Sequence, residues 1–326
     1  MTILSRVSEQ LTVAGYGAGW KALRVAPEPA VRWAFERAAD AATHRNGRGV
    51  QQLRRNLARV LANNTDQAPS LEQAESLEHA VRDGMRSYAR YWMETFRLPA
   101  MDVHAILGRT HTDGIEGLDE SLHSKHGTIL ALPHSGNWEV AGLWLVNRGF
   151  PFTTVAERLK PESLYDKFVA YRESLGMTVL PLTGGTVSAT RLMLQRLRSG
   201  GVVCLVADRD LSQRGVEVDF FGEPTRMPAG PAQLALATGA SLIPVHTYYD
   251  GDGWGQWCGD PVRFTDVDKG DADESSAAQS SAAQSGAAQN SKVKAATQAL
   301  ADAFAGRIAQ HPSDWHMLQR LWLADL

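Results

Sequence analysis

An imidazole followed five positions later by a carboxylate, His134-Ser-Gly-Asn-Trp-Glu139, closes a short apolar run that begins at Gly127. A histidine acts as a general base when its second ring nitrogen is held in one tautomer by an acceptor such as a carboxylate. A second apolar run, Val202 to Ala207, ends on Asp208-Arg-Asp210. His134, Glu139 and Asp208 are therefore the candidate catalytic residues, and the two carboxylates compete for the imidazole. The chemistry they offer is general-base removal of a proton from a bound group. Glu139 belongs to the first turn of the helix that should follow the strand, where it points sideways and can pair with Arg172. Asp208, at a neighbouring strand end, is then the better-placed partner. On its own the H-x4-E spacing more often marks a capping histidine and an unrelated surface glutamate, because paired groups also serve structure.

The elements that must hold these groups alternate from Gly127 onward. Strands are predicted at Ile129–Pro133, Thr153–Ala156, Thr178–Leu182, Val202–Ala207, Val216–Phe220 and Leu242–Tyr249, with helices between the first four and after Met227. The fold class is α/β: a central, mainly parallel twisted sheet with helices on both faces and an N-terminal helical segment. In such sheets ligands collect beyond the carboxyl ends of the strands. His134, Glu157, Thr183 and Asp208 each follow a predicted strand, so four strands deliver polar groups to one rim. The chain reads as a single domain, 1–326, with a helical, membrane-associating cover at 1–100, an α/β core at 127–265 and a C-terminal helical region at 292–326. Between them the repeated Ser-Ala-Ala-Gln, Ser-Ala-Ala-Gln and Gly-Ala-Ala-Gln tract suggests a flexible loop at 270–291, joining a strand at Val262–Phe264 to a helix at Val293–Ile308. Neither a dinucleotide fingerprint nor a phosphate-binding P-loop is present.

Charge and composition narrow the partners. The net charge of -3 gives no basic excess of the kind nucleic acid demands. The two cysteines, Cys204 and Cys258, form no metal-ligand pattern. No apolar run is long enough to cross a bilayer and no leader signature opens the chain, so export is not expected. Locally the picture differs, because residues 1–60 are rich in Arg and Lys interleaved with large apolar side chains. Trp20, Lys21, Arg24, Arg32 and Trp33 have the form of a basic amphipathic segment lying on an anionic membrane surface. Covering the sheet is the plainer role for the same helices, and the two are compatible. A second stripe, Tyr88, Tyr91, Trp92 and Phe96, fits core or a pocket wall better than a separate site.

The motif His134-Ser-Gly-Asn-Trp-Glu139 resembles the H-x4-D/E signature of the bacterial lipid A biosynthesis acyltransferase superfamily. Glu157-Arg-Leu-Lys-Pro, Phe168 to Gly176, Val206-Ala-Asp-Arg-Asp210, Gly215 to Gly230 and the ending Trp315 to Trp322 follow in that family's order, so the resemblance spans roughly residues 10 to 323. It looks closest to the actinobacterial phosphatidylinositol mannoside acyltransferases. The chain departs at Asp208, one methylene shorter than the Glu found in related enzymes. The resemblance implies acyl coenzyme A as co-substrate with no other cofactor and no metal, a membrane glycolipid as acceptor, and a peripheral position on the cytoplasmic face of the plasma membrane. Coenzyme A phosphates call for cations, and Arg158, Lys160, Arg209 and Arg226 flank the motifs, beside Arg172, Glu157 and Thr183. A thioesterase on the same rim and a non-catalytic membrane-surface module are the alternatives. The first lacks a G-x-S-x-G elbow and the second leaves His134, Glu139 and Asp208 without a purpose.

Overall fold

The computed structural model describes residues 19–62, 71–157, 162–184, 187–212, 214–264 and 281–326. Seven strands form the central sheet: β1 (Thr110–Asp113), β2 (Thr128–Leu132), β3 (Phe152–Ala156), β4 (Thr178–Pro181), β5 (Val202–Val206), β8 (Ser241–Asp250) and β9 (Gly253–Cys258). Their order is β1-β9-β8-β2-β5-β3-β4, and β2, β3, β4, β5 and β8 run parallel. β9 folds back antiparallel to β8, and β1 joins the edge parallel to β9. The expected α/β class with a mainly parallel sheet is what the chain adopts.

Before the core lie α1 (Glu28–Arg45), α2 (Arg48–Ala62), α3 (Leu71–Arg97) and α4 (Val103–Gly108). Within it follow α5 (Ile115–His123), α6 (Trp138–Asn147), α7 (Glu162–Ser174), α8 (Ala189–Arg198) and α9 (Gly230–Thr238), and α10 (Ser281–Ile308) comes last. Because successive strand residues face opposite ways, each strand feeds two cores. Leu130, Leu132 and Phe152 face α5 and α6, where they meet Leu118, Trp144 and Leu145. Ile129, Ala131 and Val203 face the other way, toward Leu197 of α8, Leu234 of α9 and Phe304 of α10. Burial on both faces is why β2 reads as an unbroken apolar run rather than an alternating one.

Several expectations need correction. Val216–Phe220 is a strand, β6, but it pairs with β7 (Glu223–Met227) as a separate antiparallel hairpin outside the central sheet. β1, β7 and β9 carry no strong alternation and were not foreseen. Val262–Phe264 is not a strand, although Val262 donates a backbone hydrogen bond to Leu242 at 2.8 Å. The repeat tract is not loop throughout: α10 begins at Ser281, so its second and third repeats are helical, as Ala and Gln favour. Residues 265–280 lie outside the described residues.

Candidate active site

The pairing of β2 with β5 builds the site. Thr128 stands opposite Val202, and each later pair keeps step to Leu132 opposite Val206. Two residues further along each chain come His134 and Asp208, which therefore arrive side by side and, by strand parity, on the face of Leu132 and Val206. His134 Nδ1 lies 2.6 Å from Asp208 Oδ1, and the His134 backbone N–H donates to Asp208 Oδ2 at 2.9 Å. Trp315 Nε1 donates to the same Oδ2 at 2.9 Å. Asp208 is wholly buried, whereas a third of the His134 side chain is exposed. Nδ1 is committed to Asp208, which leaves Nε2 as the ring nitrogen available to a ligand.

Opposing forces set the titration of this pair. Burial disfavours the imidazolium, but the charge and hydrogen bond of Asp208 outweigh it, so the His134 pKa is raised above its ordinary value. Burial likewise opposes the Asp208 carboxylate, and His134 with Trp315 overcomes that penalty to hold its pKa below the usual range. Arg209 opposes and Glu157 favours the His134 imidazolium, both by charge.

Glu139 sits elsewhere. Asn137 caps α6 by accepting from the N–H groups of Glu139 and Val140, and the Glu139 side chain turns to Arg172 of α7. Arg172 Nη2 and Nε donate to Glu139 Oε1 at 2.5 and 3.0 Å, with Glu139 2% exposed. The geometry thus separates the rivals: Asp208 holds the imidazole and Glu139 pairs with Arg172.

The turn after His134 is fixed from several sides. Gly136 N donates to Asp314 O, His316 N to His134 O at 2.7 Å, and Ser135 Oγ contacts His246 Nδ1 at 3.1 Å. Backbone donors of Ser135, Gly136, Glu139 and Val140 are all engaged, so these N–H groups are not poised for a developing oxyanion. Arg209, which lines the same cavity as His134 and donates through Nη1 to Gln319 Oε1 at 3.0 Å, is a candidate for that charge.

His134 opens onto a cavity of about 1060 Å³ lined also by Glu139, Glu157, Arg172 and Arg209. Much of the rest of its wall is apolar, including Leu118, Leu132, Trp144, Phe152 and Val245. Tyr88, Tyr91 and Trp92 of α3 line it as well. Thr183 is exposed and not part of this wall, and Arg226 lies on the β6–β7 hairpin away from it. Arg158 and Lys160 lie outside the described residues. Among the described residues no group of His, Cys, Asp and Glu could hold a metal ion.

The N-terminal segment is only partly as expected. Trp20 does not turn outward: its Nε1 donates to Phe96 O at 2.8 Å and its ring packs on Phe96, Phe168 and Tyr171. Arg24 lies over the Trp20 ring, and Arg32 pairs with Glu28 and Asp252. An aromatic neighbourhood on α3 and α7 offers the indole more contact than water does, which a linear reading of the segment cannot register. Lys21 and Trp33 do face outward, Trp33 at 61% exposure. No helix of the described residues is long and apolar enough to cross a membrane.

Sequence reasoning missed most of the support. Trp315 entered only within the C-terminal motif, and Glu94, which accepts from Asn137 and Trp254, did not enter at all. Neither did the relay in which Ser87 Oγ bridges Asp314 and His316 Nε2 at 2.7 and 2.9 Å.

A two-faced α/β sheet that presents a carboxylate-held histidine of an H-x4-E motif over an apolar cavity defines a lipid acyltransferase class. Residues 3–324 match the bacterial lipid A biosynthesis acyltransferase family, and the chain belongs to it. Among its relatives, a phosphatidylinositol mannoside acyltransferase of Mycolicibacterium smegmatis is 49% identical over 329 residues, covering all of this chain and 97% of the relative. A phosphatidylinositol mannoside acyltransferase of Mycobacterium tuberculosis is 50% identical over 325 residues, covering 99% of this chain and 92% of the relative.

Proposed function

We infer that this chain moves a long, palmitoyl-like acyl group from acyl coenzyme A to a mannose hydroxyl of a phosphatidylinositol mannoside, with His134 as general base. The observation that carries the reading is the His134–Asp208 pair at the mouth of an apolar chamber. The relatives' names supply the acceptor.

In this mechanism the mannose O–H is hydrogen-bonded to His134 Nε2. As its oxygen attacks the thioester carbon, the O–H proton passes to Nε2, and Asp208 stabilises the imidazolium; such general-base assistance contributes about a hundred- to ten-thousand-fold. Arg209 stabilises the tetrahedral oxyanion. The C–S bond then breaks, the carbonyl re-forms as an ester, and the imidazolium proton goes to the departing thiolate. The Glu139–Arg172 pair ties α6 to α7 at the wall of the same cavity. The acceptor's chains remain in the bilayer, since exposing each methylene costs about 0.8 kcal/mol. The enzyme accordingly works as a peripheral protein on the cytoplasmic face of the membrane.

Palmitoyl coenzyme A mixed with the protein, with and without mannosylated lipid, tests this. Acceptor-dependent thiol release is the expected result. Acceptor-independent release makes it a thioesterase, and no release from either mixture overturns an enzymatic reading.

A further inference from the structure

Three donors hold the Asp208 carboxylate, and one of them comes from the far end of the chain. Oδ1 is taken by His134 Nδ1, while Oδ2 accepts from the His134 backbone N–H and from Trp315 Nε1, each at 2.9 Å. The first two travel with His134; the indole does not. Trp315 is fully buried, and its ring lies edge-on to those of Phe220 and Trp322 at 5.9 and 6.0 Å. Its backbone bridges Ser135, and its neighbours Asp314 and His316 bond to the backbone of Gly136 and His134. Packing therefore sets where the indole N–H points.

The terminal torsion of an aspartate is broad, so a carboxylate gripped only by the residue it serves can turn with it. A donor fixed from outside the pair removes that freedom, and an indole suits the task because it donates and never titrates. We propose that Trp315 is a positioning residue for the acyl transfer: its indole N–H locks the plane of the Asp208 carboxylate, so that Oδ1 stays on His134 Nδ1. This deepens the acyl-transfer reading and rests on it. The C-terminal strap, and not only the two strand ends, then belongs to the machinery of the site.

The same bond acts on the proton. Burial pushes the Asp208 carboxyl up, and His134, by charge and hydrogen bond, together with the indole brings it below the usual range. Without the indole the carboxylate is the stronger acceptor, so the His134–Asp208 pair takes up its proton at higher pH. The direction is opposite to that expected for Asp208→Asn, which removes the acceptor's charge altogether. Of the other groups acting on the pair, Arg209 opposes and Glu157 favours the imidazolium by charge, and both remain when the indole is removed. Burial lowers His246 and His316 to a pKa of about 3, so both stay neutral over the working range.

Trp315→Phe keeps an aromatic ring in the core and deletes the N–H. Benzothienylalanine placed at the same position, with sulfur where the N–H was, keeps the full volume as well. Trp322→Phe is the matched control, because Trp322 shares the aromatic cluster but its Nε1 donates to Phe220 O. Titrating the His134 ring by NMR in the resting protein needs no transfer step, and a pH-rate profile with palmitoyl coenzyme A and mannosylated lipid accompanies it. Both changes at Trp315 should move the titration and the acid limb to higher pH. They should also lower kcat about ten- to a hundredfold, the effect of losing a hydrogen bond to a charged group, with KM for either substrate unmoved. Trp322→Phe should leave the titration where it is. An unmoved titration in the benzothienylalanine protein, an equal shift in Trp322→Phe, or a loss carried by KM overturns the proposal. A shifted titration in a protein that transfers nothing to mannosylated lipid supports the contact and defeats the acceptor reading alone.

Discussion

Asp208 rather than Glu139 holds His134 because a parallel register of five paired positions carries two strand ends forward together. Glu139, on the first turn of α6, meets Arg172 instead. The two carboxylates therefore fail differently when neutralised. His134 works as a base only when neutral, and its raised pKa places the acid limb of turnover above about pH 6.5. Asp208→Asn removes the charge that raises it while burial, which lowers it, persists. The acid limb should then move to lower pH and the plateau should fall about a hundredfold or more. A pH-rate profile checks both, and a loss of turnover with an unmoved limb would show that Asp208 does not tune the imidazole. Glu139→Gln instead strands a mostly buried guanidinium and should cost about 3–5 kcal/mol of stability, read by denaturant unfolding. If that variant unfolds like wild type, the Glu139–Arg172 pair is not structural. The imidazole and both carboxylates were legible because each sits in the H-x4-E motif or closes an apolar strand, and Arg172 because it lies in a segment that follows the family's order. Trp315 and the Ser87–Asp314–His316 relay were not, since no motif spacing or strand end points to their partners.

At the scale of elements, the strands that deliver the site were readable as apolar runs, and their order along the sheet was not. β9 and β1 extend the edge through the β8–β9 hairpin, where Trp254 and Cys258 are buried among residues of weak pattern. The tract before Val293 misled for a different reason: its small polar composition cannot build a core, yet it can continue a helix that is already anchored at Val293 and Leu300. The turn between β2 and α6 is the least tolerant junction. Gly136 has φ +49, and a Cβ there would stand 2.5–2.6 Å from backbone atoms of Thr247 and Tyr248. Gly136→Ala forces either the turn or β8 to move, at a cost of about 2 kcal/mol or more. Because the turn carries His134, turnover should fall further than stability alone explains. A thermal melt beside initial rates decides this, and a variant with wild-type rates would mean that the turn can shift without moving the imidazole.

For the whole molecule, the open question is how a chain with no spanning helix among its described residues reaches a lipid substrate. The two tryptophans of the N-terminal region divide the possibilities. Trp20 is half-buried among Phe96, Phe168 and Tyr171, so its ring joins the helical cover to α3 and α7. Trp33 is 61% exposed on α1, Val25 is 78% exposed and Lys21 faces outward. An indole exposed to water suits head-group depth on an anionic leaflet, where each cation near the surface contributes about 1 kcal/mol. Trp33→Ser combined with Lys21→Gln should therefore weaken binding to anionic vesicles and leave the melting temperature unchanged. Trp20→Ala should lower the melting temperature, while any loss of vesicle binding follows only from unfolding. Wild-type binding should fall as salt rises, because screening shortens the reach of the charges. Sedimentation with vesicles of graded anionic content measures all of this. Equal binding by wild type and the Trp33→Ser/Lys21→Gln variant would remove this face as the membrane contact and leave the N-terminal helices as cover for the sheet.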